Sequence, residues 1–372
     1  MLCMILVSCT GQKTGKENDN NDKIAIEVGE IKFPPQDVLQ LKSYYLSSSV
    51  HVDSIDYLIG YNYRLHSLDC MNLKSKSVTQ IVLPGDGPDA IVRLSGIYAQ
   101  SLDSVWISDE SERAFLIDSV GTIKRMIDLK KYLEEQEQLL INTNYAMFTS
   151  HLFYNASRHS LMFLVKHTPS NTFIVKEVFI DEVGKMATYQ LSSSKVVPDM
   201  SKGYAYINFP NVNFVGENIV YNYPVESSIY MLDIRTNERK YILADSHYTS
   251  NIIEKCTTSG DYATLEKHWL ENSHFYDIMY LPKYKIYARL HADKVDFDEK
   301  KGMEKLINER DLYLMLFDEN MEKIGETKLS NCRYSPFTSW NATYGGIALF
   351  VDNVLDEKNN TDDLTIDIIS LK

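Results

Sequence analysis

Between residues 216 and 243 the chain reads GENIVYNYPVESSIYMLDIRTNERKYIL, short apolar runs separated by polar breaks. This pattern predicts three strands, at 219–223, 229–234 and 240–243, joined by turns around Pro224–Ser227 and at Thr236-Asn237. The middle strand ends in Leu232-Asp233, and variants of the unit recur along the chain. Leu68-Asp69, Ile117-Asp118, Ile180-Asp181 and Phe317-Asp318 close the corresponding segments, and in the last unit Ser370 takes the Asp position. The spacing is about 45 to 65 residues, in the range of propellers and solenoids or slightly above it. Each unit is preceded by an apolar lead-in, at 44–50, 95–100, 145–150, 204–209, 275–280 and 334–340. Four strands in each of six units predict an all-β fold, a six-bladed β-propeller of four-stranded blades. The recurring Asp is assigned to turn formation, its carboxylate accepting backbone N–H groups two residues on.

The sixth unit lacks its fourth strand. At the other end of the chain, KIAIEVGEIKF (23–33) alternates apolar and polar positions at period two, as a half-buried strand does. It is predicted to pair beside residues 363–371 and close the ring, so that no sheet edge is left open. The repeats fill residues 23–372, which therefore read as one domain. Three insertions interrupt them. KKYLEEQEQLLIN (130–142) has helical spacing at Tyr132, Leu133, Leu139 and Leu140; DYATLEKHWLEN (261–272), within the longest insertion at 244–273, reads as a short helix; residues 292–309 are a charged insertion.

The amino terminus stands apart from this pattern. MLCMILVSC is a short apolar run, and Leu6-Val7-Ser8-Cys9 resembles the bacterial lipoprotein box, although no Lys or Arg precedes the run. Residues 1–8 are then a signal peptide, Cys9 the lipidated first residue, and TGQKTGKENDNND (10–22) a tether too polar to fold. Acyl chains on Cys9 would anchor the protein, each buried CH₂ contributing about 0.8 kcal/mol. The implied location is the cell envelope, as an outer-membrane lipoprotein facing the periplasm or the surface.

Composition narrows the picture further. Of 372 residues, 44% are hydrophobic, with 25 Tyr and 14 Phe, enough for a large core. A net charge of −13 argues against nucleic acid, which needs clustered Lys and Arg, and leaves membrane attachment to the lipid. No internal apolar run approaches the roughly 20 residues of a transmembrane helix.

Three segments carry a family likeness. The GDGPDAI loop between the first two units, YDIMYLPKYKIYARL and FDENMEKIGETKL resemble the six-bladed, TolB-like propeller lipoproteins of unknown function found in Bacteroides-type anaerobes. The resemblance runs from Ile24 to the C-terminus. It implies an envelope propeller and supplies no catalytic residues.

In a propeller, the loops from second to third strands and the loops between blades share one face. Here that face is predicted to hold Tyr61, Asn62, Arg64, Asp109, Glu110, Arg113, Lys166, His167, Asn222, Tyr223, Arg289, His291 and Asp352. This mixture of aromatic, amide and charged groups suits a peptide or a glycan. The leading expectation is a binding or scaffold module for a peptide, an envelope protein or a glycan. The alternative is a glycan-active hydrolase or lyase using loop-face carboxylates and His, which needs two carboxyl groups about 5–10 Å apart. A third reading, a structural subunit, would show an apolar patch on 244–273. No cofactor or metal is expected: His268 and His274 are wrongly spaced for one helix face, and the acidic run Asp293, Asp296, Asp298, Glu299 lacks EF-hand order. There is no GxSxG elbow. With Cys3 removed and Cys9 lipidated, Cys70, Cys256 and Cys332 remain, an odd number; Cys70 and Cys332 read as small buried apolar residues.

Overall fold

The computed structural model describes residues 25–34, 41–144, 147–197, 204, 207–256, 261–358 and 363–372. Strands form in all six units, and they assemble into six sheets arranged as propeller blades, antiparallel except for one parallel bridge in blade 4. Blade 1 is Ser47–Val52, Ile55–Asn62, Ser67–Asn72 and Val78–Val82. Blade 2 is Leu94–Ser101, Ser104–Asp109, Arg113–Ile117 and Ile123–Asp128. Blade 3 is built on Ser160–His167, Thr172–Phe179 and Met186–Gln190, and its inner edge is shared by two short pieces, Phe153–Asn155 and Glu137–Leu140. Blade 4 is Asn211–Val215, Asn218–Asn222, Ile229–Asp233 and Arg239–Ile242, with Asn142–Asn144 and Phe148–Ser150 added at its inner edge. Blade 5 is His274–Leu281, Ile286–Ala292, Leu312–Phe317 and Lys323–Lys328.

Blade 6 takes Trp340–Ala342, Ile347–Phe350 and Leu364–Leu371 from the end of the chain, and its outer strand is Ile26–Phe33 from the beginning. The ends pair antiparallel over eight residues, from Ile26 opposite Leu371 to Phe33 opposite Leu364. Arg333 clamps the join, its guanidinium reaching Glu30 at 2.9 Å and Asp367 at 2.5 and 2.9 Å.

Middle strands are covered by neighbouring blades on both faces, so they read as continuous apolar runs; LYLMLF (312–317) is buried at every position. Among the described residues the core divides into six clusters, one between each pair of adjacent blades. Trp106 and Phe115 pack toward blades 3 and 1, Val220 and Met315 join blades 4 and 5, and Phe33, Tyr44, Leu58 and Ile366 join blade 6 to blade 1. Gly60 is required at this last interface, since a Cβ there would lie 2.4 Å from the Tyr44 ring.

Several expectations are corrected. The Asp turn holds for Asp118, Asp233 and Asp318, each of which accepts backbone N–H groups at 2.8–3.1 Å. Asp69 is different: it is buried within its strand and accepts from Tyr44 Oη at 2.6 Å, Asn62 at 2.8 Å and Gln80 at 3.1 Å. In blade 1 Asn72 makes the turn instead, accepting from the amides of Lys74 and Ser75 at 3.0 and 2.8 Å. Asp181 pairs with Arg125 and His159. The lead-in expected at 204–209 forms no strand among its described residues; the strand starts at Asn211, just beyond Pro210, which lacks the N–H a ladder needs.

Residues 130–142 are not a helix either. A 3₁₀ turn at Leu129–Tyr132, capped by Asp128, leads into the strand Glu137–Leu140. Tertiary contacts override the helical spacing here: the buried Lys176 ammonium takes the Tyr132 carbonyl at 2.6 Å and the Glu137 carboxylate. The helix expected at 261–272 is present as α1, Tyr262–Leu270, with Asp261 as its N-cap, and the charged insertion carries a short α2, Met303–Asn308. Cys70 is buried, whereas Cys332 is only half-buried, because it stands in a turn with φ of 51°.

Removing residues 1–33 leaves the strand Leu364–Leu371 with an open edge and uncovers the cluster between blades 6 and 1. The truncated protein is expected to melt more than about 5 °C lower than a chain beginning at residue 23, and to self-associate on gel filtration. A monomeric truncation with unchanged Tm would show that the ring does not need its clasp.

Candidate functional site

The loops from second to third strands and the loops between blades do gather on one face. Between blades 1, 2 and 6 they enclose a cavity of about 1500 Å3, with α2 as one wall. Local structure explains how its walls are held. Asn62 is buried; its side-chain oxygen accepts the amides of Arg64 and Leu65 at 3.2 Å, which turns Tyr63 and Arg64 outward. Asp109 does the same in blade 2, accepting the Ser111 and Arg113 amides at 3.0 and 3.2 Å and the Arg113 guanidinium at 2.7 Å. Arg113 in turn holds the Ala90 carbonyl at 2.8 Å, fixing the GDGPDAI loop. That loop folds back on itself through Ile91 N–H to the Pro84 carbonyl at 2.8 Å, with Gly87 at φ of 88°.

Asp352 follows the second strand of blade 6 and lies in the cavity wall. Burial pushes its carboxyl up to about 6, against hydrogen bonds from the Ser335 amide and from Ser43 and Thr338. Tyr45 and Tyr63 stand nearby, 57% and 50% exposed. Partial burial raises the Tyr45 hydroxyl, and the neighbouring Asp352, Tyr63 and Glu304 raise it further. Arg93 and Glu110 face each other at 3.6 Å. Deeper in, Tyr61 Oη meets His66 Nδ1 at 3.1 Å.

Of the residues expected on this face, Tyr61, Glu110 and Asp352 line the cavity, while Asn62, Asp109 and Arg113 hold its loops. Arg64 lies against the edge of the face, its guanidinium 6.0 Å from the Tyr63 ring centre. Lys166 and His167 belong to blade 3, outside the cavity. The Lys166 ammonium sits over Phe209 at 4.6 Å and is made less basic by burial, and His167 Nδ1 pairs with Ser170 at 2.5 Å.

Four residues are not on the loop face but in the interior. Asn222 reaches the Phe275 carbonyl at 3.4 Å, and Tyr223 donates to the Ser192 carbonyl at 2.9 Å. Arg289 donates to the carbonyls of Ser227 and Ala244 at 2.5 and 2.9 Å, and burial lowers its pKa to about 9. His291 bonds Glu326 at 2.8 Å and Thr249 at 3.2 Å, with burial lowering its basicity. All four sit on or at the end of second strands, whose side chains point between blades.

The sequence reading missed Tyr45, Tyr63, His66 and Arg93. A signal for Tyr45 existed: in Tyr44-Tyr45 the strand-like alternation turns the first ring inward, fully buried, and the second outward. Among the described residues, no three His, Cys, Asp or Glu side chains gather closely enough to hold a metal ion.

Because Asp352 binds its proton more tightly in the folded protein than in the unfolded chain, its ionised form costs stability above pH 6. That cost disappears as the pH falls toward the ordinary carboxylate range. Asp352→Asn keeps the acceptor for the Ser335 amide and removes the charge. It should stabilise the protein by roughly 1–2 kcal/mol at pH 8 and by nothing measurable near pH 3, below the ordinary carboxylate range, read by urea unfolding. Equal destabilisation at both pH values would contradict the assignment.

Solved structures share this architecture. A member of the DUF4221 family from Bacteroides vulgatus superposes with a TM-score of 0.75 at 14% identity, covering 95% of this chain and 99% of its own. A putative exported protein from Bacteroides fragilis superposes with a TM-score of 0.54 at 13% identity, covering 93% and 95%. No curated protein sequence matches. The profile described as a domain of unknown function, DUF4221, matches residues 17–328, and the chain belongs to that family.

Proposed function

We propose that this protein is a binding module of the bacterial cell envelope, held by a lipid on Cys9, whose loop-face cavity takes a peptide segment with a cationic side chain. The observation that carries the reading is the grouping of Tyr45 and Tyr63 with Asp352 and Glu304 in one open cavity. Aromatic faces and carboxylates together attract a cation. Of the cationic side chains in the lining, Arg93 is engaged with Glu110, which leaves Lys42 against Asp86, Glu304 and Asp352. Loops pinned by Asn62, Asp109 and Arg113 give a site formed in advance of its ligand, which lowers the ordering cost of binding.

The Cys9 anchor lies outside the described residues and rests on the lipobox and the polar tether. No helix among the described residues is long and apolar enough to cross a membrane. The similar Bacteroides fragilis protein is described as exported, which accords with an envelope location.

A glycan-active hydrolase is the second reading. Asp352 favours it, since a carboxyl raised to about 6 in a cleft is suited to donate a proton to a leaving group.

The test is an array of basic, neutral and acidic peptides offered to the protein without residues 1–22, with the best binder measured by calorimetry. Basic peptides should be selected, and Tyr63→Ala and Asp352→Asn should each weaken Kd about tenfold, or about 1.4 kcal/mol. Selection of no peptide, or undiminished binding by both variants, contradicts the peptide reading; glycan cleavage abolished by Asp352→Asn would replace it with the hydrolase. In cells, Cys9→Ala should move the protein from the membrane pellet to the soluble fraction.

A further inference from the structure

The six inner strands surround a second cavity, of about 300 Å3, on the propeller axis. Its ionisable centre is a His–Asp pair contributed by different blades. His151 follows the short strand Phe148–Ser150, and Asp277 lies in the inner strand of blade 5. His151 Nε2 meets Asp277 Oδ2 at 2.9 Å, and the Trp340 indole N–H donates to Asp277 Oδ1 at 3.2 Å. A shift of register between Phe275 and Ile278 marks a β-bulge at this point of the strand, a device that re-aims side chains. It places Asp277 in the lining of the cavity, where the carboxylate is shielded from water while the imidazole stays 21% exposed.

The pair fixes the chemistry offered to a ligand. In the tautomer that donates Nε2–H to the Asp277 carboxylate, the imidazole presents its Nδ1 lone pair as an acceptor. Asn341 spends its N–H on Ser47 Oγ at 2.7 Å, which leaves its side-chain oxygen as a second acceptor. Ser48 Oγ accepts the Ala99 amide at 3.1 Å and keeps its proton to donate. Tyr98, Phe153 and Phe214 form an aromatic wall, with ring centres 5.1 and 5.0 Å apart along the series. Among the described residues no Lys or Arg lines the cavity, so an anion would find no countercharge there, and Asp277 is already engaged by His151 and Trp340.

We propose that the axial cavity is a binding site for a small neutral polyol, one sugar residue in size, which donates hydroxyls to His151 and Asn341 and lays its C–H face on the aromatic wall. The cavity volume is at the lower end of the range for small-molecule sites, as a single sugar requires. This site is separate from the loop-face cavity and does not depend on the reading given for it.

The experiment uses the folded chain from residue 23 and a panel of neutral hexoses and their alditols, screened by saturation-transfer NMR and quantified by titration. At least one should bind, with the His151 Nδ1 resonance of ¹⁵N-labelled protein shifting as it saturates. Affinity should fall about tenfold or more in His151→Ala. Ala342→Leu, which adds bulk to the blade 6 side of the cavity lining, should abolish binding, and Asp352→Asn on the loop face should leave it unchanged. Absence of binding up to about 20 mM, or binding that survives Ala342→Leu with no shift at His151, would overturn the assignment.

Discussion

The ring closes through one ladder, and the other contacts take their places from it. A blade of this protein is apolar on both faces and cannot be stable alone; it needs a neighbour on each side. Blades 1 to 5 obtain their neighbours from sequence order. Only the pairing of Ile26–Phe33 with Leu364–Leu371 gives blade 6 its outer strand. The cluster holding Phe33, Tyr44, Leu58, Phe350 and Ile366 joins the first blade to the last, and Ser339 and Asn341 add hydrogen bonds to Tyr44 and Ser47 across the same seam. Arg333 ties the outer strand to the inner sheet, and its carboxylate partners raise its already high pKa further. Both cavities are bounded by residues from blades on either side of this seam, so their shape depends on it.

A second constraint is the set of buried carboxylates that pin blades from within. Asp69 and Asp367 occupy equivalent third strands, and each accepts a Tyr hydroxyl from the segment leading into its own blade, Tyr44 and Tyr334 respectively. Glu177 does the same work in blade 3 with Arg158, Ser160 and Tyr189. In blade 5, burial opposes ionisation of Glu326, yet bonds from His291, Ser246 and the His247 amide hold its carboxyl down at about 2. Its contribution to stability is therefore present above the ordinary Glu range and is lost as the pH falls toward 2. Each of these acids is fully partnered, which is the condition under which a buried polar group specifies a packing instead of weakening it.

The propeller was legible in the sequence because its signals are local. Period-two alternation, turn residues and a repeated strand ending identify the blades, and the unfilled position in the sixth unit points to strand 26–33. The site was only partly legible, because a sequence shows loop position but not the direction a side chain takes at the end of a strand. Tyr61, Glu110 and Asp352 reach the cavity, but Arg289 and His291 lie on a strand covered on both faces and turn inward. The recurring Leu-Asp misled in blade 1, where Asp69 stands three positions before the true turn residue, Asn72. The segment 130–142 misled for a different reason: its helical spacing is real, but a buried Lys176 two strands away sets its course. His151 and Asp277 are distant in sequence and meet only because inner strands converge on the axis.

Hydrogen exchange followed by mass spectrometry tests the clasp most directly. If the ring is one cooperative unit closed by its ends, amides of Ile26–Phe33 and Leu364–Leu371 will exchange as slowly as those of the inner strands of blades 2 and 5, through global unfolding. Fast exchange confined to these two terminal strands, with the other blades still protected, would show that the propeller stands without its closing ladder and would contradict the account.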